Sequence, residues 1–168
     1  MDYFNVAAVI SNHCVLQRNV PIKIFGTAQN NKNIIVTLFD KEKKILSQNS
    51  CTSSEKKWEL SLTPQSAQEN CSLLIKCESQ EKTLTDISIG EVWLAGGQSN
   101  MEFELQNCTE GPEELLNETN PNVRFYYTNK IGWMDEAFFE AEKNTEWQTW
   151  DSEWKKSWSA VGYFYAKK

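Results

Sequence analysis

The chain has 168 residues, 40% of them hydrophobic and 12% aromatic, which is typical of a folded protein with a buried core rather than a disordered one. Its net charge of −6 and its lack of a basic cluster argue against nucleic-acid binding, which needs a dense Lys/Arg surface. No apolar run approaches the length of a membrane span, and the first residues lack the basic segment of a signal peptide. We therefore expect a cytoplasmic protein that binds neither nucleic acid nor membrane.

The cysteines and the single histidine give no metal-binding pattern. The five cysteines are scattered without a C-x-x-C pair: Cys14, Cys51, Cys71, Cys77 and Cys108. With one histidine they are a poor set of zinc ligands, so we expect neither a metal nor a cofactor. Their odd number favours free thiols in a reducing cytoplasm, and Cys71 and Cys77 would pair only if local geometry brought them together.

From the start to about Asp86, the sequence predicts short strands separated by turns. Apolar residues alternate with polar ones over residues 20–24, 58–62 and 73–76, and residues 34–39 form an apolar strand. Polar clusters at 30–33 and 41–44 predict turns, the second as the tip of a solvated hairpin. This spacing indicates a small all-β sandwich.

The sequence pattern changes at residue 87, and the residues that follow suggest a catalytic site. An apolar run over 87–95 predicts a buried strand that ends at a Gly-Gly pair, and Ser99 follows at once. Glycines there permit positive φ and close backbone approach. A serine on a sharp turn outside a strand end, with backbone N–H groups to bind an oxyanion, is an acyl-transfer arrangement. The alternative is an ordinary polar loop, since Asn100 and Met101 depart from the G-x-S-x-G elbow.

The remaining residues predict further elements of the same part. We expect a short acid-rich helix over 110–116 and a strand over 123–127 that adds to the same sheet. Ser159 is suited to cap a helix that starts at Ala160. Four tryptophans have the spacing of a helical stripe: Trp147, Trp150, Trp154 and Trp158. Such a stripe suggests either sugar stacking or packing, and packing is the commoner role.

Three stretches follow one another along the chain: SNHCVLQRNVPIKIFGTA at 11–28, GEVWLAGGQSNMEF at 90–103 and SAVGYFYAKK at 159–168. Together they resemble the sialate O-acetylesterase family of SGNH/GDSL-type serine hydrolases. The resemblance implies an Ig/jelly-roll-like β-sandwich domain over residues 1–88. It also implies the start of a flavodoxin-like α/β SGNH hydrolase domain over residues 89–168, so the chain looks like an amino-terminal portion of such an enzyme.

The resemblance also assigns roles near the serine. Ser99 would attack the acetyl group of an O-acetylated sugar such as sialic acid, and its own N–H would help bind the oxyanion. Gly97, Gln98 and Asn100 would contact the substrate. The family's histidine base lies in a late Asp-x-x-His block, which this sequence does not contain, so we expect little activity from these residues alone. His13 falls in the VLQR region, where the resemblance implies a structural role.

The residues around the serine also allow other interpretations. Four carboxylates lie near the serine in sequence, and we expect them to be solvated or to cap turns, because none has a histidine to orient: Asp86, Glu91, Glu102 and Glu104. The alternative function is a non-catalytic β-sandwich module that binds carbohydrate or another partner. Apolar surface left by an incomplete α/β layer would favour self-association.

Overall fold

The computed structural model of the chain describes residues 3–117, 119–128 and 135–168. The strands are β1 (Phe4–Val6), β2 (Val15–Gln17), β3 (Ile22–Ala28), β4 (Asn33–Phe39), β5 (Ile45–Thr52), β6 (Lys57–Leu62), β7 (Gln68–Cys77), β8 (Gln80–Gly90), β9 (Phe125–Tyr126) and β10 (Trp147–Gln148). The α-helices are α1 (Gly111–Asn117), α2 (Glu136–Glu142) and α3 (Ala160–Ala166), and 3₁₀ turns occupy Ser99–Glu102, Leu105–Asn107 and Glu153–Ser157. Within these ranges no helix is both long enough and apolar enough to cross a bilayer.

The chain divides into two compact units. The first, which we call the β unit, combines Met1–Val92 with Thr128–Glu146. The second, which we call the serine unit, combines Trp93–Tyr127 with Trp147–Lys168 and therefore contains Ser99.

The β unit contains two sheets. One has three strands in the order β1-β3-β6, and both of its pairings are antiparallel. The other has five strands in the order β2-β8-β7-β4-β5, and it is mixed because β2 runs parallel to β8 while the other pairs are antiparallel. The prediction of a β-rich first part is confirmed.

Alternating burial explains why these strands form where the sequence predicts them. In β6, Trp58, Leu60 and Leu62 are buried and their neighbours are exposed. The partner strand β3 places Ile24 opposite Leu60 and Ile22 opposite Leu62, and both isoleucines are buried. A period of two therefore sends one face of each strand into the core and the other to solvent.

The predicted buried strand over residues 87–95 is wrong in its second half. Ile87 and Ile89 are buried in β8, but that strand ends at Gly90. Residues 91–98 have no regular secondary structure and are all exposed, with Leu94 fully exposed at 100%. An apolar run becomes a buried strand only when a neighbour pairs its backbone, and none of the described strands pairs with residues 91–98.

The serine unit is organised around an aromatic core. Its buried members are Leu105, Val123, Trp150, Trp158, Ala160 and Tyr163. The Trp150 ring stacks on Tyr163 with centroids 5.0 Å apart, and Phe125 stacks on Trp158 at 4.8 Å. Such ring pairs add to the free energy gained by burying apolar area.

Two predictions for this unit are corrected and one is confirmed. The predicted helix at 110–116 is found as α1. The predicted strand at 123–127 is shorter, and β9 pairs antiparallel with β10 rather than with a strand that leads to the serine. The tryptophan stripe is not one helix, because Trp147 lies in β10 and Trp154 lies in a separate 3₁₀ turn with 66% exposure. Packing rather than a regular helix brings Trp150 and Trp158 into the core.

Candidate functional site

Ser99 begins a 3₁₀ turn, Ser99–Glu102, which we call the serine turn. Gln98 before it is extended, with φ of −138° and ψ of −177°, whereas Ser99 itself has φ of 46°. Positive φ in a non-glycine residue costs about 1–3 kcal/mol and is characteristic of sites where the surroundings impose the geometry. Ser99 is one of ten such residues in the described chain, and the other nine lie in the β unit.

The glycines before the serine do not adopt the backbone that the sequence suggested. No glycine in the described chain has positive φ, so the left-handed residue is Ser99 rather than Gly96 or Gly97. Gly97 instead lies close to the Met101 side chain, because a Cβ there would be 3.1 Å from Met101 Cβ. At Gly96 no heavy atom lies within 4 Å of the same position.

Hydrogen bonds close the serine turn. The Met101 N–H donates to the Gln98 carbonyl at 3.0 Å, and the Phe103 N–H donates to the Asn100 carbonyl at 3.2 Å. Gly97, Gln98, Ser99 and Asn100 are all exposed, so the turn presents its polar groups outward. Among residues 3–117, 119–128 and 135–168, no side chain hydrogen-bonds to the Ser99 hydroxyl.

The start of α3 supports the segment that follows the serine turn. The Leu105 N–H donates to the Trp158 carbonyl at 2.8 Å, and the Ala160 N–H donates to the Phe103 carbonyl at 2.9 Å. Ser159 lies between these bonds and pairs with Glu104 as an isolated β-bridge. The sequence predicted Ser159 as a helix cap, and its hydroxyl does accept a hydrogen bond from the Gly162 N–H at 3.1 Å.

The single histidine belongs to the β unit. His13 Nδ1 lies 2.6 Å from Asp86 Oδ2, with side chains 43% and 34% exposed. The expectation that Asp86 has no histidine to orient is therefore wrong. Nearby, the His13 N–H donates to the Thr85 carbonyl at 3.2 Å and the Ser88 N–H donates to the Cys14 carbonyl at 3.0 Å. The pair thus joins the segment before β2 to β8, which is a structural use of the histidine.

Glu91 has partners that sequence reasoning missed. Its carboxylate accepts hydrogen bonds from Gln17 Nε2 at 2.9 Å and from Arg18 Nε at 2.5 Å. The Gln17 Oε1 in turn accepts from the Val92 N–H at 2.8 Å. The hydrogen bonds from Gln17 and then Arg18 lower the pKa of Glu91. Gln17 and Arg18 therefore hold Glu91 and Val92 in place just after β8 ends.

The other candidate residues have ordinary structural roles. The Glu104 carboxylate accepts from the side chains of Gln106 and Asn107, at 2.7 and 3.1 Å, as a turn cap does. All five cysteines are thiols, and Cys71 and Cys77 both lie on β7. Burial raises the pKa of the Cys71 thiol to about 11, which keeps it protonated and unreactive. In the part of the chain that is described, no three His, Cys, Asp or Glu side chains form a group able to hold a metal.

Comparison with known proteins gives a fold. No protein-family model matches the sequence, and no curated protein matches it. Among solved structures, the chain is similar to a carbohydrate acetylesterase from Xanthomonas citri, with a TM-score of 0.82 and 24% sequence identity. The match covers 99% of this chain and 37% of that one, so the chain spans little more than a third of the enzyme's length. At this identity the similarity establishes a shared fold.

Proposed function

We propose that this chain carries the nucleophile of a carbohydrate O-acetylesterase related to the sialate O-acetylesterases, and that Ser99 is that nucleophile. The observation that carries the proposal is the conformation of Ser99, which is exposed, has φ of 46° and starts a hydrogen-bonded turn after an extended Gln98. The shared fold with a carbohydrate acetylesterase supports the same substrate class, an acetylated sugar. The GGQSNM stretch supports the sialate O-acetylesterase family in particular.

The turn offers two of the components that acyl transfer requires, a nucleophilic hydroxyl and backbone N–H groups for the oxyanion. The Ser99 oxygen attacks the acetyl carbonyl and gives its proton to the base, which passes it to the sugar oxygen as the bond from that oxygen to the acetyl carbon breaks. Water then attacks the acetyl-serine, releases acetate and returns a proton to Ser99 through the same base. Within the described residues, the N–H groups of Ser99 and Asn100 have no acceptor, because the first bonded N–H of the turn is that of Met101. We assign these two N–H groups to the oxyanion, and Gly97 and Gln98 to substrate contact.

The base is the missing component. A serine hydroxyl is a weak nucleophile near neutral pH and needs a neighbouring base. The one histidine in the sequence is His13, which is bound to Asp86 in the β unit. We therefore assign the base to a later Asp-x-x-His block outside these 168 residues. We also propose, from the family resemblance, that residues 89–168 begin a flavodoxin-like domain.

A comparison of two protein forms tests the proposal. The 168-residue chain should hydrolyse p-nitrophenyl acetate and acetylated sugars hardly at all, because loss of a triad member lowers the rate by several orders of magnitude. The same chain followed by the rest of an α/β esterase domain should be active, and Ser99→Ala should abolish that activity. The melting temperature should change by only a few degrees, since Ser99 is exposed.

Ser152→Ala is the matched control for a serine in the same unit. The Ser152 hydroxyl caps the 3₁₀ turn Glu153–Ser157 and accepts from the Trp154 N–H at 3.2 Å, and it is not part of the proposed site. Turnover that persists in Ser99→Ala would contradict the proposal and favour a non-catalytic carbohydrate-binding module. Ser99-dependent turnover by the 168 residues alone would instead make His13 the candidate base.

A further inference from the structure

Ser159 makes two hydrogen bonds that link α3 to the serine turn. Its hydroxyl oxygen accepts from the Gly162 N–H at 3.1 Å, which caps the helix. The same hydroxyl donates to Met101 Sδ at 3.3 Å. Met101 lies in the serine turn, two residues after Ser99. A thioether sulfur accepts weakly, but this bond is protected from water because Ser159 is only 9% exposed.

Met101 is in turn held against the residues on the other side of Ser99. Its N–H donates to the Gln98 carbonyl at 3.0 Å. Its Cβ lies 3.1 Å from the place where a Cβ on Gly97 would be, so its side chain packs directly on that glycine. Whatever fixes the Met101 side chain therefore also fixes the two ends of the backbone that surround Ser99.

We propose that Ser159 is a positioning residue for Ser99 and that it acts through Met101. A residue with positive φ returns to a relaxed backbone unless its surroundings hold it, and the Ser159–Met101 bond is one of the contacts that hold the serine turn. The catalytic meaning of this contact rests on the proposed function of Ser99. The structural link from Ser159 through Met101 to the Ser99 backbone does not depend on that function.

Helix capping alone does not account for a serine at this position. A cap needs only an acceptor, and Asp or Asn caps a helix about as well as Ser. Donation to Met101 Sδ needs the hydroxyl proton, which an ionised Asp side chain lacks. Ser159→Asp therefore keeps the cap and removes the donor, whereas Ser159→Thr keeps both.

The test is NMR spectroscopy of the 168-residue chain, read at two places. The HN–Hα coupling constant of Ser99 reports its φ, and the methyl signal of Met101 reports its side chain. Ser159→Asp should shift both signals, and because it also places a carboxylate at a buried position, the uncharged variant Met101→Leu decides whether the lost hydrogen bond is the cause. Ser159→Thr should restore both signals. Met101→Leu, which keeps the side-chain volume and removes the sulfur, should change the Ser99 coupling constant in the same way. The double variant Ser159→Asp, Met101→Leu should change that coupling constant no more than either single variant does.

Ser152→Asp is the matched control, because it places the same charge at another cap of the serine unit, where the hydroxyl accepts from Trp154 N–H. It should leave both signals unchanged. In a fusion of this chain to the rest of an α/β esterase domain, Ser159→Asp should lower kcat by about 10²-fold and leave KM unchanged, the expected result of a misplaced nucleophile. An unchanged Ser99 coupling constant in both Ser159→Asp and Met101→Leu would show that Ser159 is a helix cap only. A turnover that survives Ser99→Ala would refute the proposed function and leave the NMR result standing.

Discussion

Alanine at Gly97 would place a methyl group 3.1 Å from Met101 Cβ, whereas at Gly96 the same methyl would meet no heavy atom within 4 Å. Neither glycine has positive φ, so both backbones are ones that alanine adopts without strain. The two glycines are adjacent and both exposed, and both precede Ser99. Any difference between Gly96→Ala and Gly97→Ala therefore measures the contact with Met101.

The expected change in the free energy of unfolding comes from two opposing effects. Gly→Ala at a compatible backbone stabilises a protein by about 0.4–1 kcal/mol, because the unfolded chain loses freedom. Two carbon atoms pack best at about 3.5–4.0 Å, so the methyl at Gly97 is several tenths of an ångström too close to Met101. Overpacking costs about 1–3 kcal/mol, and the low end applies because the site is exposed and Met is flexible.

We therefore predict that Gly96→Ala is more stable than the parent chain and that Gly97→Ala is less stable or unchanged. A difference of about 1 kcal/mol between the variants corresponds to about 2–4 °C in melting temperature for a chain of this size. Urea and thermal unfolding measure the difference, and the Met101 methyl signal shows whether the side chain has moved. A melting temperature of Gly97→Ala equal to or above that of Gly96→Ala would refute the contact.

Two further predictions concern the polar groups around the buried Tyr163. Its hydroxyl donates to Glu114 Oε2 at 2.7 Å and accepts from Asn120 Nδ2 at 2.7 Å. Tyr163→Phe should therefore lower the free energy of unfolding, measured in urea, by about 1–3 kcal/mol. The control Tyr165→Phe, at a position that is 55% exposed, should change it hardly at all. The pKa of Glu114 is lowered first by the hydrogen bond from Lys167 and then by that from Tyr163. Because the pKa of Glu114 is lower in the folded state than in the unfolded state, its carboxylate makes its full contribution to the free energy of unfolding at any pH above the unfolded-state pKa. That contribution is lost as the pH falls through the folded-state pKa. Glu114→Gln should therefore flatten the acid-side loss of stability measured by urea unfolding between neutral and strongly acidic pH, and an unchanged pH dependence would count against this assignment.

The sequence alone was sufficient to predict a feature where the residues that determine it lie close together in one strand or helix. The alternation of Trp58, Leu60 and Leu62 with polar residues identifies the buried face of β6 without reference to any other strand. Ser159 is recognisable as a cap because the acceptor and the bonded Gly162 N–H are three residues apart. Both signals depend on neighbours in sequence, and the structure contains both features.

The sequence was insufficient where the outcome depends on distant partners. His13 and Asp86 are 73 residues apart, so no local pattern announces their contact. The apolar character of Trp93 and Leu94 predicts burial, yet both are exposed because the described residues offer them no pairing strand. The positive φ lies at Ser99 rather than at Gly96 or Gly97, although glycine is the residue that adopts this backbone most readily.

Side-chain hydrogen bonds hold both ends of the segment 90–103, each within its own unit. At its start, in the β unit, Gln17 and Arg18 of the first stretch bind Glu91 and so fix the chain as it leaves β8. At its end, in the serine unit, Ser159 of the third stretch binds Met101. These contacts are hydrogen bonds of defined direction, and few other side chains reproduce them, whereas apolar core residues exchange for one another at modest cost.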